Sequence, residues 1–392
     1  MSTFRRHHAA RLACTLALAA TTGTTPALAD TARYQQRNLV ANTVVLDART
    51  RAENVDPNLV DPWGLAFNPF GFAWLSERHA GASTQYNGDG HPQALVVTIP
   101  PAVGSTDASG KPTGIVWNGG PGFVVRQGKQ SAPSQFIFAC ADGSIAAWAP
   151  TVDATRAVRV FPRFYSSNAL YTGLAIGADG ARQLLFAADF RNNRVDVFDT
   201  NFAWIVLPGR PFVDLQQAPG YAPFGIQAIN GNVYVTYAKQ EALGDGRVGP
   251  ASGGGFVSVF APDGRFLRRL VSHGPLDKPW GLALAPAGFG RFGNRLLVAN
   301  AGNGAINAFD SGSGKFAGRL RGANGQPIAI DGLKAIGFGH GLTRHPVGTL
   351  YFSAGPGNGK YGLYGRLDAI ASKVHEHDVD VDADADADAD IK

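Results

Sequence analysis

The chain has 392 residues, of which 45% are hydrophobic and 17% charged, with 50 glycines and 24 prolines; this apolar content excludes a disordered polymer, and the turn formers point to an all-β globule. The formal charge of +5 conceals a division, since the first 29 residues carry +3, residues 374–392 carry −7 and the body between them carries +9. A basic body with an acidic tail suits anionic partners or tail-to-body attraction, but a plain solubilising balance is the favoured reading.

The chain opens with Arg5, Arg6 and Arg11, an apolar stretch, and Ala27-Leu28-Ala29 before Asp30. That is the pattern of a cleavable export signal over residues 1–29. The apolar run from Leu12 to Ala20 falls well short of the roughly 18 residues a membrane helix needs, so no transmembrane anchor is expected in the mature chain. A lipoprotein signal at Cys14 is disfavoured by Arg11, which stands where a lipobox takes an apolar residue. Loss of Cys14 with the signal leaves Cys140 without an intramolecular partner, and stability must come from packing. The expected location is secreted or periplasmic.

Beyond the signal, a phrase of glycine followed by Leu or Ile recurs. Its glycines are Gly64, Gly114, Gly173, Gly225, Gly281 and Gly332, at spacings of 50, 59, 52, 56 and 51 residues. That period fits four-stranded propeller blades, with repeats of about 40–50 residues. In the fifth unit, residues 281–286, 296–299, 305–310 and 315–320 read as four short strands separated by turn residues. The expected fold over residues 30–369 is all-β, a six-bladed β-propeller. The last unit lacks a fourth strand, and the unassigned segment 38–46 is expected to supply it, an N-terminal strand closing the last blade. Residues 370–392, with alternating Asp and Ala, are expected to form a disordered acidic tail.

In such a ring the start of each innermost strand and the loop between the second and third strands share one mouth of the channel. The marker phrases bring Trp63, Phe224, Trp280 and Asp331 to that mouth, and the loops bring Glu77, Asp189, Arg191, Lys239 and Asn300. Aromatics with a few polar groups in a concave mouth suit ligand binding, while packing of the rings between adjacent blades is the favoured reading of them. Glu77, Asp189 and Asn300 together form an oxygen set for a divalent cation such as Ca²⁺; singly, Asp189 and Asn300 are ordinary caps of turns. His79, His273 and His340 are further acid–base candidates. The mature chain has no phosphate-loop, nucleophile-elbow or zinc-helix motif, and export argues against nucleic acid as a partner.

Several phrases, among them residues 56–67, 95–101, 221–226, 234–240, 279–289 and 330–333, resemble a family of exported bacterial proteins, some with a PEP-CTERM sorting tail. Residues 188–198 are similar to NHL repeats. The resemblance implies a propeller and export but no activity or cofactor, and this chain lacks the sorting motif. Where relatives tend to place Asp in the first blade's mouth loop, Glu77 stands here. The expected function is a binding or scaffold module for a small molecule, glycan or protein at one mouth. The alternative is a lactonase- or lyase-like enzyme using a divalent cation.

Overall fold

The computed structural model describes residues 33–44, 51–162, 168–249 and 254–370. The expected export signal and all but the first residue of the expected tail lie outside these. Six sheets surround one axis, joined in sequence, and the only helix among the described residues is the short 3-10 turn Gly290–Phe292. Blade 1 holds Pro62–Phe67, Ala73–Glu77, Ala82–Tyr86 and Val97–Thr98 from the axis outward. Blade 2 holds Pro112–Trp117, Phe136–Cys140, Ile145–Trp148 and Val158–Phe161, with the hairpin of Val124–Gln127 and Gln130–Pro133 inserted.

Blade 3 consists of Tyr171–Asp179, Arg182–Asp189, Arg194–Phe198 and Trp204–Ile205. Blade 4 comprises Tyr221–Ile229, Asn232–Lys239, Phe256–Phe260 and Phe266–Ser272. Blade 5 comprises Pro279–Leu284, Arg295–Asn300, Ile306–Asp310 and Phe316–Arg319. Each blade lies between two others, so its middle strands are covered on both faces. Ala73–Glu77, Phe136–Cys140 and Leu350–Ala354 are buried throughout, which is why such segments read as largely apolar runs without polar alternation. Every pair of adjacent blades encloses its own apolar core, as Trp74 and Ile99 against Phe136 and Trp148 do between blades 1 and 2.

The ring closes in blade 6, where Leu333–Phe338, Leu350–Ala354 and Leu363–Ala369 are completed by Arg33–Ala41. Tyr34 pairs with Ala369 and Ala41 with Leu363, antiparallel, with a bulge between Asn38 and Val40. The closing strand thus begins five residues before the expected segment, and residues 45–46 of that segment lie outside the described residues. Tyr34, Leu39, Val40 and Ala41 are buried by this pairing, and the Tyr34 hydroxyl donates to the Phe289 carbonyl at 3.1 Å, tying the strand to blade 5 as well.

The repeated glycine has a steric cause. A Cβ on Gly64 would stand 2.6 Å from the Thr113 carbonyl oxygen, on Gly114 2.4 Å from the Leu174 nitrogen, on Gly225 2.0 Å from the Trp280 oxygen and on Gly281 2.4 Å from the Lys334 oxygen. Each contact is with the innermost strand of the next blade, so at these four seams the strands converge more closely than a side chain allows; the blade 3 seam is looser, a Cβ on Gly173 meeting Ile226 at 3.3 Å. Hydroxyls on the second strands stitch the same seam: Gly64 N–H donates to Ser76 Oγ at 2.8 Å, and Ser76 donates to the Thr113 carbonyl at 2.7 Å. Ser353 does likewise across the closing seam, accepting from Ala335 N–H at 3.1 Å and donating to the Trp63 carbonyl at 2.6 Å.

Gly225→Ala is therefore expected to lower the unfolding free energy by about 3 kcal/mol, the upper range for overpacking. Gly288→Ala, which meets nothing within 4 Å, should change it by less than about 0.5 kcal/mol. Urea denaturation of both variants checks the contrast, and equal effects would remove the steric account of the repeat.

Candidate functional site

The register of every innermost strand breaks at the marker. The breaks fall between Pro62 and Leu65, Pro112 and Gly114, Tyr171 and Gly173, Pro223 and Gly225, Pro279 and Gly281, and Leu333 and Ile336. A β-bulge re-aims the extra residue. In blades 1, 4 and 5 that residue is aromatic, and Trp63, Phe224 and Trp280 meet inside the channel. The Trp63 ring lies edge-on to Phe224 at 6.2 Å and to Trp280 at 6.1 Å between centroids. Phe190 backs Phe224 at 5.3 Å, and Trp280 Nε1 donates at 2.9 Å to the Thr172 carbonyl of blade 3. The rings thus pack on one another across the channel and on their neighbouring blades, and stopper the channel at its marker end with Trp63 part-exposed.

Blade 6 differs from its reading in the sequence. The phrase at Gly332 is a turn with φ of +68°, and the true marker lies three residues later. Gly281 of blade 5 abuts the Lys334 oxygen and Ile336 nitrogen, as Gly64 abuts Thr113 and Ile115, so Lys334 occupies the place of Trp63 and Ala335 that of the glycine. Asp331 is exposed and accepts from Gly357 N–H at 2.9 Å. Lys334 is part-buried, donates to the Gly332 carbonyl at 3.1 Å and holds its ammonium 5.0 Å from the Trp63 centroid. Burial lowers its pKa to about 8, Asp61 opposing and Arg78 reinforcing the shift.

The polar candidates stand at equivalent corners of different blades. Glu77, Asp189, Lys239 and Asn300 each end a second strand, opposite Pro62, Tyr171, Tyr221 and Pro279. Glu77 accepts from the Thr84 hydroxyl at 2.8 Å, and burial raises its carboxyl well above the usual range. Asp189 accepts from the Leu170 and Asn192 N–H groups at 3.0 and 3.2 Å and from the Asn192 side chain at 2.6 Å; burial raises its pKa also. Asn300 donates to the Pro275 carbonyl at 2.8 Å. Among the described residues, none of these partners is shared by two of the three.

No group of three His, Cys, Asp or Glu side chains is close enough to hold a metal, again among the described residues. Lys239 is exposed, and Arg191 donates to Asn168 at 3.2 Å. His79 contacts the Gly359 carbonyl at 2.7 Å, His273 packs on Phe256, and His340 lies against Phe67.

The open cavity lies at the opposite end, where the innermost strands finish. It encloses about 550 Å³ and draws its wall from all six blades: Leu65 and Phe67, Ile115 and Trp117, Ile176, Ile229, Leu282 and Ile336. The sequence carried its signal in the apolar residues that follow each glycine, which alone do not tell an open channel wall from core. At its edge Phe67 meets His340, His345 and Tyr351 at 5.0, 5.1 and 5.8 Å. A larger trough of about 1280 Å³ runs along the closing strand past Arg37, Glu53 and Asp331.

A single ring of six blades, stoppered at one end and hollow at the other, defines a six-bladed β-propeller. No family model matches the chain. Two proteins of Acanthamoeba polyphaga mimivirus are similar to it along most of their length. Uncharacterized protein L690 is 32% identical over 86% of this chain and 86% of its own, and uncharacterized protein R648 is 31% identical over 75% and 72%. The chain belongs to the family of these proteins. A glucose dehydrogenase structure superposes with a TM-score of 0.50 at 15% identity, over 80% of this chain and 98% of that one, and shares the fold.

His345 is fully buried, with Nε2 3.2 Å from the Tyr364 hydroxyl, and burial lowers its pKa from 6.5 to about 4. The unfolded chain takes up this proton first on acidification. The contribution is therefore complete above about pH 6.5 and lost as pH falls toward 4, by up to about 3 kcal/mol. The melting temperature of His345→Phe should fall less than that of the native chain between pH 7 and 4.5; parallel curves would refute the assignment.

Proposed function

We propose that this protein is an exported binding module that takes an apolar part of a small ligand into the channel end opposite the aromatic stopper. The observation that carries the reading is the cavity of about 550 Å³ walled by all six blades, within the 300–1,000 Å³ range of small-molecule sites. Apolar side chains are part-exposed in its wall at Leu65, Phe67, Trp117, Ile176 and Ile229, beside a comparable polar surface, and burying the apolar part is worth roughly 25 cal/mol per Å². Polar groups at its edge, Gln227 and Asn230, offer orientation to the solvent-facing part of a ligand.

The alternative, a lactonase- or lyase-like enzyme, calls on a cation held by Glu77, Asp189 and Asn300. Its support is that Glu77 Oε2 and Asn300 Oδ1 are buried without hydrogen-bond partners. Each sits in a separate blade on its own turn, and the binding reading needs no rearrangement.

The test uses protein recovered from the exported fraction of cells expressing the full sequence, where an amino terminus at Asp30 is expected. An uncharged phenylnaphthylamine dye should bind saturably with enhanced fluorescence. Ile176→Trp, which fills the channel, should weaken binding at least tenfold with circular dichroism unchanged. Equal binding by the variant would reject the site, and dye binding that depends on added Ca²⁺ would favour the cation reading.

A further inference from the structure

The stoppered end has chemistry of its own. Trp63 is part-exposed there, with two cations over its ring: Lys334 at 5.0 Å and the Arg78 guanidinium at 5.4 Å from the centroid. Both exceed their local acceptors. Lys334 has three N–H bonds and makes one hydrogen bond, to the Gly332 carbonyl. Arg78 Nε is buried without a partner, while its NH1 reaches Asp61 at 3.3 Å and His79 at 3.3 Å. The charged groups facing Lys334 are Asp61, Arg78, Asp331 and Lys278. With Lys334 itself, that makes three cations against two carboxylates. Neighbouring Asp277 is shifted by burial toward its protonated form.

Asp61 is already committed. It accepts from Trp63 Nε1 at 3.2 Å as well as from Arg78, its backbone takes a left-handed φ of +52°, and Gly355 and Gly359 crowd it closely. It cannot swing to satisfy Lys334 without losing these contacts. Donors from two blades therefore converge on one aromatic ring at the mouth of a channel, where an oxyanion would pair with both cations at once.

We propose that this mouth is an oxyanion site, in which Lys334 and Arg78 hold a small molecule bearing a carboxylate or phosphate against Trp63. The position of Lys334 supports this independently of its charge. It replaces the aromatic or threonine found at the equivalent bulge of every other blade, and no packing need of the stopper calls for an amine there. The site is separate from the apolar cavity and does not depend on ligand binding at that end. Because burial brings the Lys334 pKa to about 8, anion affinity is present below that pH and declines above it.

Isothermal titration with inorganic phosphate, benzoate and uncharged benzamide at pH 7.5 and 9.5, at fixed ionic strength, tests the assignment. Saturable binding of phosphate or benzoate but not benzamide is expected, at least tenfold weaker in Lys334→Met and in Arg78→Gln, and weaker in the native protein at pH 9.5. Which oxyanion binds identifies the ligand class. Lys334→Gln serves if the methionine variant fails to fold, and the pH comparison needs no variant at all. Absence of saturable binding, or equal affinity in the Lys334 variants, would overturn the proposal. Unchanged dye binding in Lys334→Met separates its failure from failure of the cavity reading.

Discussion

Six strands running side by side around one axis crowd one another, and in blades 1, 2, 4 and 5 what yields is a side chain, left out by one glycine in each. A Cβ on Gly225 would lie 2.0 Å from a carbonyl oxygen of the next strand, inside any tolerable contact. The glycine permits the approach, and the bulge beside it frees one residue from the pairing pattern. What that residue is then decides what fills the channel. Trp63, Phe224 and Trp280 are large enough to meet across it, Thr113 and Thr172 turn their hydroxyls to backbone carbonyls, and Lys334 brings a charge. The asymmetry of the two ends, one stoppered and one hollow, descends from that single constraint.

The ring itself was legible because the crowding recurs at a fixed period and leaves glycine as its trace. Closure was legible for a related reason: the last unit ran out of strands and the first segment had no partner. The sixth marker was misread because Gly332 is also followed by a leucine, although its role is a left-handed turn. Ala335, with Ser353 bridging its N–H to the Trp63 carbonyl, leaves no glycine to find. The direction in which an aromatic points at a bulge depends on register, which sequence spacing does not carry. The stopper was therefore invisible although its members were all named.

The polar candidates teach a different lesson. Glu77, Asp189 and Asn300 each end a second strand, where a buried polar side chain bonds locally: Asp189 accepts from the Leu170 and Asn192 N–H groups, Glu77 from the Thr84 hydroxyl, and Asn300 donates to the Pro275 carbonyl. Equivalent position in a repeat gives equivalent local work, and six-fold geometry spreads such residues around the ring. Convergence needs side chains that leave their own blade, which Trp63, Phe224, Trp280 and Lys334 do.

The central claim, a channel closed at the marker end and open at the other, is tested most directly by thiol accessibility along one strand. In a Cys14→Ser background, where buried Cys140 is shielded, Thr172→Cys and Ile176→Cys place a thiol near the stopper and in the cavity wall of blade 3. The account predicts rapid labelling of Cys at 176 by a small methanethiosulfonate reagent and slow labelling at 172 under native conditions. The reverse order, or equal rates at both, would contradict it.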